Sequence, residues 1–217
     1  GKTPVDVAAL GVDALTIAGH KLYAPKGVGA LFLKPGIELP SVMYGAGQEH
    51  GRRPGTENVP YIVGLGVACR LARARLHTEC RRLEQLRDRL WAGLSARTPG
   101  LVWVGQGTDI LPNTLNVLFP GVVGNDLLAA TPEIAASTGS ACHAGDSRPS
   151  AILLALGIAP AAALGAVRLT LGRASDADSV DRAADILSER WRRMAAGRAA
   201  QSPPRMPGVP PSPSPDR

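Results

Sequence analysis

The stretch "LTIAGHKLYAPKGVGALFL", from Leu15 to Leu33, decides the fold of the first part of the chain. Two apolar runs, "VDALTIAG" and "GALFLK", are each bounded by glycine or proline, and this pattern predicts two buried strands around a polar, glycine-rich turn. His20 and Lys21 stand where the first strand ends. Lysine is rarely fully buried without a partner, so a lysine at this position needs an explanation.

The rest of the chain divides by its texture into a helical part and a part with short, alternating elements. Residues 35–58 are rich in glycine and proline and predict a loop, whereas apolar residues at i, i+3 and i+4 spacing predict a helix over 59–97. Beyond residue 98 the pattern predicts a second domain with short strands and helices. These elements are strands at "LVWVG", "NTLNVLF", "AAST" and "AVRLTLG", helices at about 125–130 and 149–156, and a final helix opening at Ser175 with Asp178 as its capping-box partner.

Composition and charge narrow the classes of function. The 217-residue chain carries a formal charge of +6, but its arginines are mixed with acidic residues and lack interleaved aromatic residues, which argues against nucleic-acid binding. The three cysteines (Cys69, Cys80 and Cys142) form no CxxC pair, so neither a disulfide framework nor a metal site is predicted. No apolar run is long enough to span a bilayer and none resembles a signal peptide, so we expect a cytoplasmic protein without a membrane partner.

Two segments of the first part could carry chemistry. Lys21 would become a nucleophile or base if it were desolvated or placed near another cation such as Lys26; the alternative is a lysine in a surface turn. In "GQEHGRRPGTEN", the glycines, the arginines and Thr56 could cradle an anion; the alternative is a flexible basic loop.

Two further segments lie in the second part. Cys142, in "STGSACHAGDSRPS", has His143 as a neighbour and could react as a thiolate, or it could be an inert small residue. A Cys–His hydrolase using His50 or His77 also stays open at this point. Arg168 in "VRLTLG" is costly within an apolar strand unless it binds either a substrate carboxylate or a structural acidic residue.

Taken together, these segments resemble the class V aminotransferase-like family of pyridoxal phosphate (PLP) enzymes, specifically cysteine desulfurases and selenocysteine lyases. The resemblance rests on five motifs in the family's order: "GHKLYAPKG", "GQEHGRRPGTEN", "LPNTLN", "STGSACHAG" and "VRLTLGR". It implies an α/β protein of PLP-dependent transferase fold type I. Residues 1–97 would be the end of the large domain with its connecting helix, 98–197 the small α/β domain, and 198–217 a disordered tail rich in proline and serine.

The resemblance also implies a role for each matching residue. Lys21 matches the lysine that forms the Schiff base with PLP, and His20 matches a neighbour that helps to hold the cofactor phosphate. Thr56 matches a phosphate contact donated by the partner subunit, which implies a homodimer. Cys142 matches the catalytic cysteine, and Arg168 matches the arginine that binds the substrate carboxylate.

The implied reaction converts L-cysteine to L-alanine and leaves the sulfur on Cys142 as a persulfide, for an acceptor protein in iron–sulfur cluster or other sulfur-compound synthesis. Ala18 stands where desulfurases often have serine. Selenocysteine lyases resemble this sequence in having an apolar residue at that position, so selenocysteine stays an alternative substrate. The family's N-terminal phosphate turn, stacking histidine and pyridinium aspartate have no counterpart in this sequence. We therefore expect unpaired strand edges and exposed apolar faces beside Lys21, and a non-catalytic binding or dimerisation module remains a second hypothesis.

Overall fold

The structure is a computed structural model that describes residues 1–139 and 148–201. The chain forms two compact units, one spanning Gly1–Arg82 and the other beginning at Leu83. A 39-residue helix, α2 (Val59–Arg97), contributes to both units. The predicted boundary at 97/98 coincides with the end of this helix. The compact units instead divide inside the helix, because its last turns contribute Leu90 and Leu94 to the core of the second unit.

The first unit contains the predicted hairpin. Helix α1 (Val7–Leu10) precedes strand β1 (Ala14–Ala18), which pairs with β2 (Gly29–Leu33) in an antiparallel two-stranded sheet. The register runs from Ala14 opposite Leu33 to Ala18 opposite Gly29.

The expectation that these two strands are buried is wrong. No residue of β1 or β2 is buried, and Leu31 is 45% exposed. The physical reason is that a two-stranded sheet offers each strand one neighbour and, within the described residues, too little covering structure to bury its faces. Among the described residues, this sheet has the exposed faces and unpaired edges that the family resemblance implies.

The loop and helix predictions that follow the hairpin are confirmed. Between β2 and α2 the chain is irregular except for a short turn at Gln48–Gly51. The Asn58 carbonyl and side chain accept hydrogen bonds from the first turn of α2. After Arg97 the chain leaves the helix, and Gly100 has the left-handed φ of 80° that glycine adopts easily.

The second unit is built on a three-stranded antiparallel sheet. Its strand order is β3 (Val102–Trp103), β4 (Thr114–Leu118) and β5 (Ala166–Thr170). Besides the end of α2, the described part of this unit has the helices α3 (Gly124–Ala129), α4 (Ala151–Ala155), α5 (Pro160–Ala163) and α6 (Ala177–Gln201). The predicted strand at "AAST" is reduced to one bridge between Ser137 and Arg168, and the short helix α5 has no counterpart among the predictions.

The main core lies on one face of this sheet. Alternate residues of β4 and β5 pack against apolar residues of α2 and α6, forming a cluster that includes Leu115, Val117, Val167, Leu169, Leu90, Leu94, Val180, Ala184 and Leu187. Because successive side chains on a strand point to opposite faces, Arg168 lies on the other face, opposite Asn116 of β4.

The capping residue of the last helix is one position later than predicted, Asp176 in place of Ser175. The Asp176 carboxylate accepts a hydrogen bond from the Ser179 N–H at 2.8 Å, and the Ser179 hydroxyl accepts one from the Asp176 N–H at 3.1 Å. This reciprocal pair is the capping arrangement that was expected of Ser175 and Asp178. Ser175 instead accepts a hydrogen bond from the Gly172 N–H. In the described part of the chain, no helix combines the length and apolarity required to cross a membrane.

Candidate active site

His20 and Lys21 lie together in a short 3-10 turn, Gly19–Leu22, that directly follows β1. Both residues are exposed, whereas Gly19 is buried at the base of the turn. The Gly19 N–H donates to the Val28 carbonyl at 2.9 Å, and its own carbonyl accepts from the Ala24 N–H at 3.1 Å. The hairpin therefore presents the Lys21 amine at a strand end, outside the sheet.

The loop that follows this turn packs against the first half of α2. A Cβ atom at Gly64 would lie 3.1 Å from Pro25 Cδ, and one at Gly27 would lie 3.8 Å from the Tyr61 ring. The "APKG" part of the loop thus rests on the helix where Gly64 leaves room for the proline ring. Helix α2, rather than a second sheet layer, positions the loop that carries Lys21.

The loop that contains Thr56 is held by its own hydrogen bonds. The Arg53 guanidinium donates to the carbonyls of Pro54, Gly55 and Thr56, at 3.2, 2.9 and 3.3 Å. The Gln48 side chain accepts from the Gly55 N–H at 3.0 Å. Arg53 therefore stabilises the "RPGT" turn. The sequence had suggested that the arginines of this loop bind an anion. The Thr56 side chain is exposed beside it.

Arg168 lies in the middle of β5, between two backbone partners. It pairs with Asn116 of β4 on one side, and on the other its N–H donates to the Ser137 carbonyl at 2.6 Å. The side chain is half-buried. Across residues 1–139 and 148–201, no carboxylate forms an ion pair with its guanidinium. The sequence allowed Arg168 to pair with either a substrate carboxylate or a structural acidic residue, and the described residues contain no such structural partner.

The chain segment that leads towards Cys142 begins beside Arg168. Ser137 forms the bridge to β5, and the Thr138 hydroxyl donates to the Asn125 side chain of α3 at 2.7 Å. Gly139 is fixed by hydrogen bonds with the Ser137 side chain. Cys142 itself lies outside the described residues.

Asn113 is a structural residue of the site that sequence reasoning did not assign, although it lies in the motif "LPNTLN". It is buried, its side-chain amide donates to the Leu171 carbonyl at 2.9 Å, and its carbonyl accepts from the Leu171 N–H at 2.8 Å. These bonds join the start of β4 to the end of β5 and so fix the strand that carries Arg168. The sequence feature that could have pointed to this role is a polar residue directly before an apolar strand.

The second unit also has an open cleft of about 380 Å³. Its lining includes the apolar side chains of Leu90, Leu169 and Val180 and the charged residues Glu133 and Arg182. Among the predicted site residues that the structure describes, none lines this cleft.

The first unit thus carries an exposed lysine at a strand end, and the second unit carries a half-buried arginine in a strand. The model of the protein family described as "Aminotransferase class-V" matches residues 1–183 of the chain. The chain belongs to the class V aminotransferase family, and its fold is part of the fold type I architecture of that family.

Individual relatives are more specific. The chain is 45% identical over 190 residues to a cysteine desulfurase of Gluconacetobacter diazotrophicus, covering 86% of this chain and 47% of that protein. It is 42% identical over 189 residues to the cysteine desulfurase IscS of Edwardsiella ictaluri, covering 86% and 46%. A solved structure of a NifS-like protein superposes with a TM-score of 0.74 at 31% identity, covering 90% of this chain and 50% of that one. The chain thus spans about half the length of the curated relatives that it matches.

Proposed function

We propose that this chain contributes the lysine, the cysteine and the substrate arginine of a PLP-dependent cysteine desulfurase. The observation that carries the proposal is the exposed Lys21 in the turn after β1, in a chain 45% identical to a protein named cysteine desulfurase. The two curated relatives reported above are named cysteine desulfurases, which favours cysteine over selenocysteine as the substrate.

The residues present fit the cofactor. A primary amine, an imidazole and a hydroxyl are what a pyridoxal aldehyde and its phosphate require, and Lys21, His20 and Thr56 supply them from exposed positions. We propose that Lys21 and His20 hold the cofactor in the same subunit and that Thr56 reaches the phosphate of a partner subunit in a homodimer. When bound, PLP would supply an electron sink for the bond-breaking steps.

The protein residues would then divide the work between binding, proton transfer and sulfur transfer. The half-buried Arg168 guanidinium binds the substrate carboxylate through two charge-assisted hydrogen bonds. The Lys21 amine takes the proton from the substrate Cα. The Cys142 thiolate forms a bond to the substrate sulfur while the bond from that sulfur to Cβ breaks. The electron pair stays with the three-carbon fragment, which gains protons and leaves as alanine, and a persulfide remains on Cys142 for an acceptor protein.

The anchor role of Lys21 is tested by mixing the full chain with PLP, reducing with borohydride and mapping the labelled peptide by mass spectrometry. We expect a pyridoxyl label on Lys21, loss of the label in Lys21→Ala, and retention in Lys26→Ala, which removes a neighbouring exposed lysine. A label on Lys26, or no specific label at all, would contradict the assignment and favour the non-catalytic module.

The sulfur-transfer role of Cys142 has a separate readout. Cys142→Ala should keep the label on Lys21 and lose sulfur transfer from cysteine, because only the acceptor thiol is removed. Persulfide formation at the wild-type rate in this variant would exclude Cys142 as the acceptor.

A further inference from the structure

The outer face of α2 carries an unusual distribution of charge. The first 20 residues of the helix, 59–78, contain no aspartate or glutamate. From this segment into the next turn, Arg70, Arg73, His77 and Arg81 follow one another at spacings of three, four and four residues, and all four are exposed. Residues at these spacings lie on one face of a helix. We refer to these four residues as the basic stripe.

The basic stripe lies on a different face of α2 from the residues that pack in the first unit. The buried residues of this part of the helix, Leu65 and Ala68, belong to a different face, and Ala72 and Leu76 continue that face as partly buried positions. The stripe therefore lies on the solvent side of the helix. From Arg70 to Arg81 the helix rises by eleven steps of about 1.5 Å, so the stripe extends for about 16 Å.

The arginines of the stripe are unpaired, in contrast to others on the two long helices. Within the described residues, none of Arg70, Arg73 and Arg81 forms an ion pair or a side-chain hydrogen bond. The paired arginines are Arg82 with Glu79, Arg87 with Glu84 and Asp88, Arg89 with Asp181, Arg97 with Asp185 and Arg193 with Glu189.

An unpaired stripe works against the stability of the helix. Like charges three or four residues apart destabilise an isolated helix, whereas alternating signs support it. The chain uses alternating signs on the neighbouring turns of α2, so their absence here points to a purpose other than helix stability.

We propose that the basic stripe is a docking surface for an acidic protein partner that presents carboxylates along about 16 Å, as one face of an acidic helix does. Charge complementarity carries this choice of partner, because Arg70, Arg73 and Arg81 would each gain a counter-charge that no described residue of the chain supplies. A protein partner is favoured over RNA because the stripe has no exposed aromatic side chain on which bases could stack. This proposal concerns binding alone and does not depend on the desulfurase reaction.

The experiment measures fluorescence anisotropy of the full chain with two labelled helical peptides. One peptide has glutamates at positions 1, 4, 8 and 12, which repeats the spacing of the stripe, and the other has the same composition with its glutamates grouped at one end. The protein variants are a stripe triple, Arg70→Gln, Arg73→Gln and Arg81→Gln, and a control triple, Arg75→Gln, Arg182→Gln and Arg192→Gln. The control removes the same charge from exposed arginines outside the stripe.

The expected result is binding of the spaced peptide that is several-fold tighter than binding of the grouped one and weakens at higher salt. The stripe triple should bind the spaced peptide about tenfold more weakly, as three exposed charge pairs imply, and the control triple should change affinity less than twofold. Equal losses in both triples, equal binding of both peptides, or tighter binding of a 16-nucleotide single-stranded RNA would overturn the proposal. Circular dichroism of both triples confirms that the helix is retained.

Discussion

At the scale of single residues, the position of Lys21 depends on glycines that leave space for neighbouring backbone. A Cβ at Gly19 would lie 2.6 Å from the Val28 carbonyl oxygen, and one at Gly29 would lie 2.4 Å from the Ile17 carbonyl oxygen. Real Cβ atoms do not approach backbone oxygens so closely, so both ends of the loop require glycine. The lysine is exposed, but the turn that carries it is narrowly specified.

The contact between the Lys21 loop and α2 is testable with two glycines of the same helix. Gly66→Ala adds a methyl group in open space and should stabilise the helix by about 0.5–1 kcal/mol. Gly64→Ala brings the same propensity gain but places its Cβ 3.1 Å from Pro25 Cδ, so the loop must shift. We expect a higher melting temperature only for Gly66→Ala, and reduced labelling of Lys21 by PLP only for Gly64→Ala. Similar behaviour of the two variants would show that Pro25 does not hold the loop against the helix.

Arg168 allows a prediction about binding geometry. Lysine keeps the charge but cannot make two parallel hydrogen bonds to a carboxylate. Arg168→Lys should therefore weaken cysteine binding about tenfold or more, the effect of losing one hydrogen bond to a charged group. The measurement is the cysteine concentration dependence of alanine formation, with Arg182→Lys as the control in the same unit. An unchanged dependence in Arg168→Lys would remove the residue from the substrate site.

At the scale of elements, the sequence predicted best where several local signals agreed. Helix α2 spans the predicted 59–97 because a long apolar period, a capping asparagine and a terminal proline–glycine pair all agree. The burial of β1 and β2 was predicted wrongly. An apolar run indicates that the side chains of a strand are suited to burial, but it does not show whether a covering layer is present. The cap of α6 was displaced because Ser175 and Asp176 are both good caps, and only the backbone decides between them. The structural roles of Arg53 and Asn113 depend on carbonyls that the sequence does not show.

The contact between α2 and α6 should respond to pH through Asp181. Arg89 donates to both carboxylate oxygens, and this hydrogen bonding lowers the pKa of Asp181 below its ordinary value. Because the folded-state pKa lies below the unfolded value of about 3.9, the stabilisation is complete at neutral pH and is lost as the pH falls through the folded-state pKa. Asp181→Asn should lower the melting temperature at pH 7, and the difference from the wild type should be smaller at pH 2.

The control for this prediction is Asp109→Asn, which removes an exposed carboxylate that has no ion pair in the described structure. It should leave the melting temperature nearly unchanged at both pH values. High salt should also reduce the effect of Asp181→Asn, because both partners of the pair are about half exposed. A pH-independent effect would mean that Asp181 acts through packing.

At the scale of the whole molecule, the apolar core is divided unevenly between the two units. Within the described residues, the first unit buries only Leu65 and Ala68 among its apolar side chains, whereas the second unit buries the whole cluster around β4 and β5. The first unit leaves large apolar side chains exposed, including Val42, Tyr44 and Val63. Exposed apolar surface of this extent typically marks a surface that another chain or segment covers.

This imbalance predicts uneven protection of backbone amides. Regions with few buried apolar contacts open at low free-energy cost, while core strands open only with global unfolding. In hydrogen exchange of the chain at low concentration, the amides of β4 and β5 should exchange orders of magnitude more slowly than those of β1 and β2. Raising the protein concentration should selectively slow exchange in β1, β2 and the first turns of α2 if a second copy covers the exposed apolar residues, as the proposed homodimer requires. Equal protection of both units at low concentration would contradict the uneven core, and exchange in the first unit that is independent of concentration would argue against self-association through its apolar surface.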